Sequence, residues 1–543
     1  MKVTSLCIKN FKLFSELRTF KFSNTSIIVG NNGVGKSTIL EALNLALTGY
    51  YQGKNILKIL NQDLFNKSCV NAYLASLKTE EKQEPPKIEI SVYFDSFAEC
   101  NGDDTPDGST GDGFTFYVEF DERYKEAYSS MVKNNEIDSL PIEYYQIRWR
   151  SFARRDYYNN RFIGFKGLMI DSDNFLSNNL YTSKIIKEFF DDDASVKMSQ
   201  AQRKVFDNLI NNETVNKINE KILENQELKD KNVSLGVLSV SKTSWENLIS
   251  TKVNEIPFEH IGKGEQCVIK TYLSFTNQST KNKGIIMIEE PECHLAYGNL
   301  NKLLSFIKTK LSEFQVIITT HSSFVLNKLG LNNLLLISYS NCISFEDISD
   351  DTTAFFEKKS GYDTLRFLLC DKSILVEGDS DELIIQRAYK DIYNKMPIDD
   401  GIDIISVGLS FLRFLEIAKQ LKLTTCIVTD NDGNIEALKE KYKDYCDVPN
   451  IDICYSKTIV KHSDTNINKD LVPNLNTLEP ELLRANSLAI FNAILNKTYS
   501  TEEDLLHYMI KNKTEVAWKI FKSTEKINYP QYILDSIGIN NEE

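Results

Sequence analysis

Residues whose types and spacing suit phosphate chemistry occur at two places far apart in the chain. Near the N-terminus, Gly30-Asn31-Asn32-Gly33-Val34-Gly35-Lys36-Ser37 spells a full P-loop. In such a loop the glycines let backbone N–H groups cradle phosphates. Lys36 reaches the β and γ phosphates and Ser37 holds magnesium, with Asn31, Asn32, Gly33, Gly35 and Thr38 completing the cradle. The second place comprises Glu377-Gly378-Asp379-Ser380-Asp381 and Asp430-Asn431-Asp432, each following an apolar run. Strand-end carboxylates are hard oxygen ligands suited to magnesium or manganese. Two such ions clamp a scissile phosphate, one side activating water and the other stabilising the leaving oxygen.

The elements around these residues must place them. Val3 to Ile8 and Ser26 to Val29 read as short apolar strands, and Thr38 to Leu47 as a helix that opens at the P-loop. Residues 284–289 and 314–319 are unbroken apolar runs, as expected of buried parallel strands. The first delivers Glu289 and Glu290 to the mouth of the sheet. One of the two can bind magnesium through water while the other polarises the attacking water. Thr319-Thr320-His321 ends the next strand, where a histidine can sense the γ-phosphate. From Ser373 a strand–helix alternation (373–377, 381–390, 402–406, 410–421, 424–429) predicts a second α/β domain with its own parallel sheet. Adjacent strand C-ends of a parallel sheet converge at one edge, so Glu377, Asp430 and Asp432 are expected to meet there. Residues 440–543 read as mostly helical and polar.

The rest of the chain is less specific. Residues 88–94 and 114–120 alternate like strands, and Asn101 to Gly113 between them reads as a surface hairpin loop. Residues 180–232 form a polar helical insertion, either a dimerisation arm or a solvated excursion. Arg148-Trp149-Arg150-Ser151-Phe152-Ala153-Arg154-Arg155-Asp156-Tyr157-Tyr158, extended by Arg161 and Lys166, interleaves cations and rings. It reads either as a nucleic-acid contact surface or as a β-rich segment with one basic and one buried aromatic face. The 543-residue length suits two or three domains, and 42% hydrophobic residues suffice for their cores. A net charge of −13 disfavours nonspecific nucleic-acid binding by the whole surface, though not by a local basic channel. No long apolar run or signal peptide is evident, so a soluble, cytoplasmic protein without a membrane partner is expected. Ten scattered cysteines without a CxxC pair point to reduced thiols, and Cys293-His294 belongs to the motif after Glu290 rather than to a zinc site.

The first set of motifs resembles the ABC-type ATPases of DNA repair and chromosome structure. That resemblance puts Glu289 at the Walker B metal position, Glu290 at the catalytic base and His321 at the switch histidine. Gly262-Lys263-Gly264-Glu265-Gln266 resembles the signature motif, with Gly264 facing a partner subunit's ATP, and Gln62 stands at the Q-loop position. Glu replaces the usual Asp in Walker B, and the signature lacks its usual Ser-Gly-Gly. Slow turnover, or ATP used as a state marker, is the expectation. ATP held between two heads implies a homodimer or higher homo-oligomer.

Glu-Gly on one strand and Asp-x-Asp on another, with Gly408 after the strand between, is similar to the TOPRIM domain of topoisomerases, primases and some nucleases. An ABC ATPase followed by TOPRIM resembles the OLD family of ATP-dependent endonucleases, including Gabija-type nuclease subunits and retron-associated effectors. The implied fold is α/β: an ABC-type head over 1–179 and 256–370 with a helical insertion at 180–255, then a TOPRIM domain with C-terminal helices over 371–543. The implied cofactors are ATP and Mg2+ or Mn2+. Glu377 becomes a metal ligand and general base, Asp381 binds the second metal, and Asp430 and Asp432 are metal ligands. Thr477-Leu478-Glu479-Pro480-Glu481 resembles the family's acidic helix, with Glu479 preferred over Glu481 as a further ligand. Lys513 would neutralise charge on the transition-state phosphate. Glu382 reads as a helix N-terminal carboxylate. The function implied is an ATP-regulated, metal-dependent DNA endonuclease or nickase in antiviral defence. Its partner would be a retron reverse transcriptase with its multicopy single-stranded DNA, or another defence-system subunit. The alternative is an ATP-gated nucleic-acid sensor or clamp whose TOPRIM domain is not catalytic.

Overall fold

The computed structural model describes residues 1–79, 81–134, 136–171, 192–224, 233–236, 245, 251–276, 284–337, 342–344, 349–358, 363–465 and 467–539. By contacts the chain divides into one unit of Met1–Ile28 with Asn32–Thr320 and another of Val29–Asn31 with His321–Glu543. The boundary at residue 320 precedes the one read from sequence, and residues 321–370 group with the C-terminal unit.

In the first unit an antiparallel sheet is built from β1 (Val3–Lys9), β2 (Arg18–Lys21), β4 (Ile88–Phe94), β5 (Gly111–Phe120), β6 (Tyr145–Ser151) and β7 (Asp156–Tyr157), in the order β7-β6-β5-β4-β1-β2. Alternate residues of β6 are buried, the pattern of a sheet with one face on a core. A parallel set consists of β8 (Lys166–Ile170), β9 (Gly284–Glu289), β10 (Gln315–Thr319) and β3 (Thr25–Gly30), in that spatial order. β11 (Leu334–Ile337) and β12 (Cys342–Ser344), which pair antiparallel, group with the second unit. β3 and β10 are buried at every position and β9 at all but Glu289, because Val and Ile fill both faces of the sheet. Helix α1 (Lys36–Thr48) starts within the P-loop, two residues earlier than the apolar period suggests. Trp149 of β6 donates from Nε1 to the Ala46 carbonyl at 2.8 Å, tying the antiparallel sheet to this helix.

The loop expected over Asn101–Gly113 is shorter than its composition implies. Asn101–Gly102 pairs with the start of β5, which begins at Gly111. Glycine makes this extension feasible, since a Cβ on Gly113 would meet the Val92 carbonyl at 2.1 Å. Of the insertion, α2 (Asp192–Ile210) and α3 (Glu213–Leu223) are described, whereas residues 180–191 and 225–232 lie outside the described residues. Helices α4 (Lys263–Thr276) and α5 (Tyr297–Lys310) also belong to this unit.

The second unit holds a wholly parallel sheet of β13 (Lys372–Val376), β14 (Ile402–Ser406), β15 (Thr424–Val428) and β16 (Ile451–Cys454), ordered β14-β13-β15-β16. Helices α6 (Asp379–Tyr393) and α7 (Phe411–Leu421) connect the strands as the alternation predicts. β16 is an addition to the sequence reading. Four residues, Ile-Asp-Ile-Cys, are too short to stand out from a polar segment by periodicity. The core packs α6 against the sheet and against α8 (Leu478–Ala485), α9 (Lys513–Lys522) and α10 (Gln531–Ser536).

Candidate active sites

The P-loop needs a left-handed backbone at Gly33 (φ 79°) and Gly35 (φ 100°). A Cβ on Gly35 would also meet the Phe14 ring at 2.7 Å. Lys36 and Thr38 are buried, while Asn32, Gly33 and Ser37 are exposed. Burial lowers the Lys36 pKa, and the carboxylates of Glu290, Glu289 and Glu292 oppose that shift. Glu289, where β9 ends, is pushed up to about 7 by burial, against a hydrogen bond with Ser37 and together with Asp171, Glu41 and Glu290. Lys36, the Ser37 hydroxyl and the strand-end acids therefore share one electrostatic neighbourhood.

Glu290 turns the chain at φ 43°, with its N–H on the Thr319 carbonyl at 3.0 Å. Its Oε2 accepts the Cys293 thiol at 3.3 Å, so Cys293 is engaged here as a free thiol. The Thr320 hydroxyl donates to Glu292 at 2.7 Å. Asp171 lies outside the nucleotide motifs, and Glu292, inside the motif that follows Glu290, was not singled out by sequence. Gly264 opens α4 so close to the segment after Glu290 that a Cβ would stand 2.3 Å from the His294 carbonyl. Gln266 fastens the preceding loop, donating to Phe258 and Ile261 carbonyls at 3.0 Å each. Gln62 lies exposed in the turn Gln62–Leu64, where its carbonyl oxygen accepts the Leu140 N–H at 3.4 Å. Asn31 and His321 are exposed and belong to the second unit. Asn31 Nδ2 donates to the Leu369 carbonyl at 3.4 Å.

The cation-and-ring stretch of β6 takes the structural form of its two readings. Arg148 pairs with Glu119 at 2.8 Å and Asp156 at 2.7 Å, Arg150 with Asp104 at 2.8 Å, and Arg154 with Asp103 at 3.0 Å. Trp149 and Phe152 are buried, and the Tyr157 and Phe162 rings stack at 3.9 Å. These arginines meet carboxylates, which lowers their availability to phosphate.

In the second unit β13 and β15 are neighbours, and Glu377 and Asp430 follow their C-ends. Thr429 Oγ1 donates to Glu377 Oε1 at 2.8 Å, joining the two strand ends through a residue the sequence reading did not use. Asp381 Oδ2 accepts the Gly378 N–H at 3.0 Å in the first turn of α6. Glu479, on α8, is 3% exposed, and its Oε2 stands 3.3 Å from Lys513 Nζ, an ion pair without hydrogen-bond geometry. Asp430 is pushed up to about 9 by burial, then by Asp381, Glu377 and Glu479, with Lys513 opposing. Asp381 is pushed up to about 6 by burial and by Glu479, with Glu377 adding to the shift. Burial lowers the Lys513 pKa, but Glu479, Asp430 and Asp381 outweigh it and the net shift is upward. The buried phenol of Tyr532, on α10, faces the same acids and is raised by burial, Asp430 and Asp381.

Of the five acids expected as metal ligands, Asp432 stands apart from the other four. Asp381 and Glu479 are the neighbours of Asp430, whereas Asp432 is exposed at φ 46° and accepts Asn474 Nδ2 at 2.7 Å. The cause is Asn431, 2% exposed between them, which donates to the Ser456 and Thr458 carbonyls at 2.6 and 2.9 Å. Pinning Asn431 inward separates the two aspartates. Glu481 pairs with Arg484 at 2.6 Å on its own helix, and Glu382 lies 3.8 Å from Arg366. Among the described residues, no three His, Cys, Asp or Glu side chains are close enough as they stand to hold a metal ion. None of the described helices is long and apolar enough to cross a membrane.

Comparison with known proteins gives matches in both units. The family model described as "Overcoming lysogenization defect protein-like, TOPRIM domain" matches residues 368–432, and that described as "AAA ATPase domain" matches residues 1–161. Endonuclease GajA of Bacillus cereus (strain HuB5-5) is 22% identical over 94% of this chain and 85% of its own length. The Retron Vc95 probable ATPase of Vibrio cholerae serotype O1 biovar El Tor is 23% identical over 71% of this chain and 82% of its own. Among solved structures, the Smc head bound to the C-winged helix domain of ScpA aligns at 14% identity and TM-score 0.33, covering 65% of this chain and 99% of that one. The recombination mediator RecF with ATP aligns at 12% identity and TM-score 0.34, covering 63% and 98%.

Proposed function

We propose that this chain, which joins an AAA-type ATPase domain to an OLD-like TOPRIM domain, is an ATP-regulated, divalent-metal-dependent DNA endonuclease or nickase of antiviral defence. The observation that carries the reading is the acid cluster of half-buried Glu377, Asp381 and Asp430 with buried Glu479, beside Lys513. Acids gathered in a buried place at the C-edge of a parallel sheet raise one another's pKa, a cost that a divalent cation offsets. The oxygen-only donor set suits Mg2+ or Mn2+, and the buried Glu479 Oε2 offers a carboxylate oxygen that makes no hydrogen bond.

Glu377, Asp381, Asp430 and Glu479 would hold the metal, with Asp432 at the exposed rim. The bound ion would supply an activated water and charge neutralisation at phosphate. Thr429 orients the Glu377 carboxylate, and Gly378 N–H holds that of Asp381. Lys513, paired to Glu479, sits ready to transfer its charge to a phosphate oxygen. In the ATPase unit, Lys36, Ser37 and Glu289 would bind the nucleotide and its magnesium, and Glu290 would act as base. Asn31, Asn32, Gly33, Gly35, Thr38, Gln62 and His321 would contact the nucleotide, and Gly264 would reach that of a second copy. Kinship with an endonuclease and with a retron ATPase supports a defence role; the partners would be DNA, further copies of the chain, and a retron or other defence subunit.

The test is cleavage of supercoiled plasmid in Mn2+ or Mg2+, with and without ATP, using wild type, Asp430→Asn and Lys36→Ala. Cutting lost in Asp430→Asn, and insensitive to ATP in Lys36→Ala, is the expected result. An Asp430→Asn protein that cuts as wild type does would overturn the site assignment. Plasmid retention without cutting under every condition would favour the clamp reading.

A further inference from the structure

Trp518 is 45% exposed on α9, whereas Trp149 and Trp245 are each 5% exposed. The Phe521 ring lies parallel to it, with centroids 5.9 Å apart and planes 5° from each other. Lys522 Nζ stands 4.4 Å from the Trp518 centroid, and Lys390 of α6 places its Nζ 5.8 Å from the Phe521 centroid. Both lysines are exposed, as is Thr514 one turn before Trp518. The nearby acid Glu515 is occupied by Lys519 at 2.7 Å. In a chain of net charge −13, two rings rimmed by cations form a distinct local surface.

The helix bearing this surface is firmly held. Val516, Ala517 and Ile520 are buried beneath it. The buried Arg387 guanidinium binds its C-terminal carbonyls, donating to Ile520 at 2.6 Å, Phe521 at 3.2 Å and also Ser523. Lys513 opens the same helix, about 7.5 Å along the axis from Trp518 at 1.5 Å per residue. The two side chains also lie about 140° apart around the axis at about 100° per residue, so a strand reaching both would bend round the helix.

We infer that the Trp518–Phe521 face is a substrate platform, on which an unpaired nucleotide base stacks while Lys522 and Lys390 take the flanking phosphates. Every base has a π-face, and aromatic rings bordered by lysines bind single strands through stacking plus phosphate contacts. Lysine's flexible stem lets Lys522 exchange the ring for a phosphate. Two ammonium groups over the rings favour a polyanion over an apolar protein partner. The inference rests on the proposed reading of the Lys513 site and specifies its substrate: unpaired or single-stranded nucleic acid.

The experiment measures binding, separately from cleavage, in an Asp430→Asn background. A labelled single-stranded oligonucleotide is titrated at low salt, following both anisotropy and intrinsic tryptophan fluorescence. Trp518→Ala is expected to weaken binding between about fivefold and a hundredfold and to abolish the quenching, since the other tryptophans are buried. Trp518→Phe should keep most of the affinity, and Lys390→Ala with Lys522→Ala should reduce the salt dependence. Equal affinity in Trp518→Ala overturns the inference, as does failure of the parent to bind, or a response to heparin matching that to the oligonucleotide. Loss of cleavage assignment with quenching intact would sink the nuclease reading and leave the platform standing.

Discussion

At the residue scale, the acid cluster makes a prediction about pH in the metal-free protein. Asp430 and Asp381 are raised to about 9 and about 6, burial being the larger cause and neighbouring carboxylates the next. An unfolded aspartate titrates near 4, so between those values the folded chain holds protons the unfolded chain has released. Stability in EDTA is therefore full below about pH 4 and falls as pH rises through the folded values, by up to ~1.4 kcal/mol per pH unit for each group. Thermal melts from pH 5 to 9 should show this decline, and Asp430→Asn should flatten it. Added Mn2+ should stabilise wild type more at pH 8 than at pH 6, because the ion replaces bound protons. A metal-free profile indifferent to Asp430→Asn would refute the electrostatic account of the cluster.

At the scale of elements, α9 depends on one buried cation. Arg387 binds the Asp391 carboxylate at 2.6 Å while its Nη atoms satisfy carbonyls at the end of α9 and beyond it, Glu525 at 3.2 Å among them. Arg387→Met removes the buried guanidinium and strands those carbonyls, at a cost of about 1–3 kcal/mol for each acceptor left buried and unsatisfied, whereas the Asp391 carboxylate it frees is exposed. Urea unfolding should register the loss, with Arg387→Lys intermediate because it keeps charge without the planar fork. An unchanged midpoint in Arg387→Met would show that α9 is held by apolar packing alone. None of this was legible in sequence, where Arg387 is one polar residue of a helix. What was legible had a local signature: the P-loop between strand and helix, the apolar run to Glu289, and the β13–β15 alternation. What was not legible was set by tertiary contacts. Asn431 separates Asp432 from Asp430 by reaching two distant carbonyls, and Thr429 bridges two strands to Glu377. The arginines of β6 looked available until their carboxylate partners, up to 46 residues away in sequence, came into place.

At the scale of the molecule, two chemistries share one chain, and the nucleotide's role is to be read from variants that stop it at different points. Lys36 is buried beside Glu289 and Glu290, so Lys36→Ala removes binding itself. Glu290 sits on the turn after β9, where its carboxylate accepts the Cys293 thiol, and its removal should spare binding. Glu290→Gln keeps the shape and loses the base, so it should bind ATP with near-normal affinity while hydrolysis falls by roughly 10²–10⁴-fold, the usual contribution of a general base. If ATP marks a state, Glu290→Gln with ATP should hold plasmid cleavage at one limiting level, and Lys36→Ala at the level seen without nucleotide. If turnover itself drives cleavage, both variants should be equally inactive. Plasmid assays beside nucleotide binding and phosphate release distinguish these outcomes. The state-marker account fails if Glu290→Gln binds ATP yet cuts plasmid at the same rate with and without it. The proposed Walker B and signature positions, Glu289 and Gly262-Lys263-Gly264-Glu265-Gln266, depart from the usual residues, which favours the state marker, since slow hydrolysis suits a site that reports bound ATP rather than turning it over quickly.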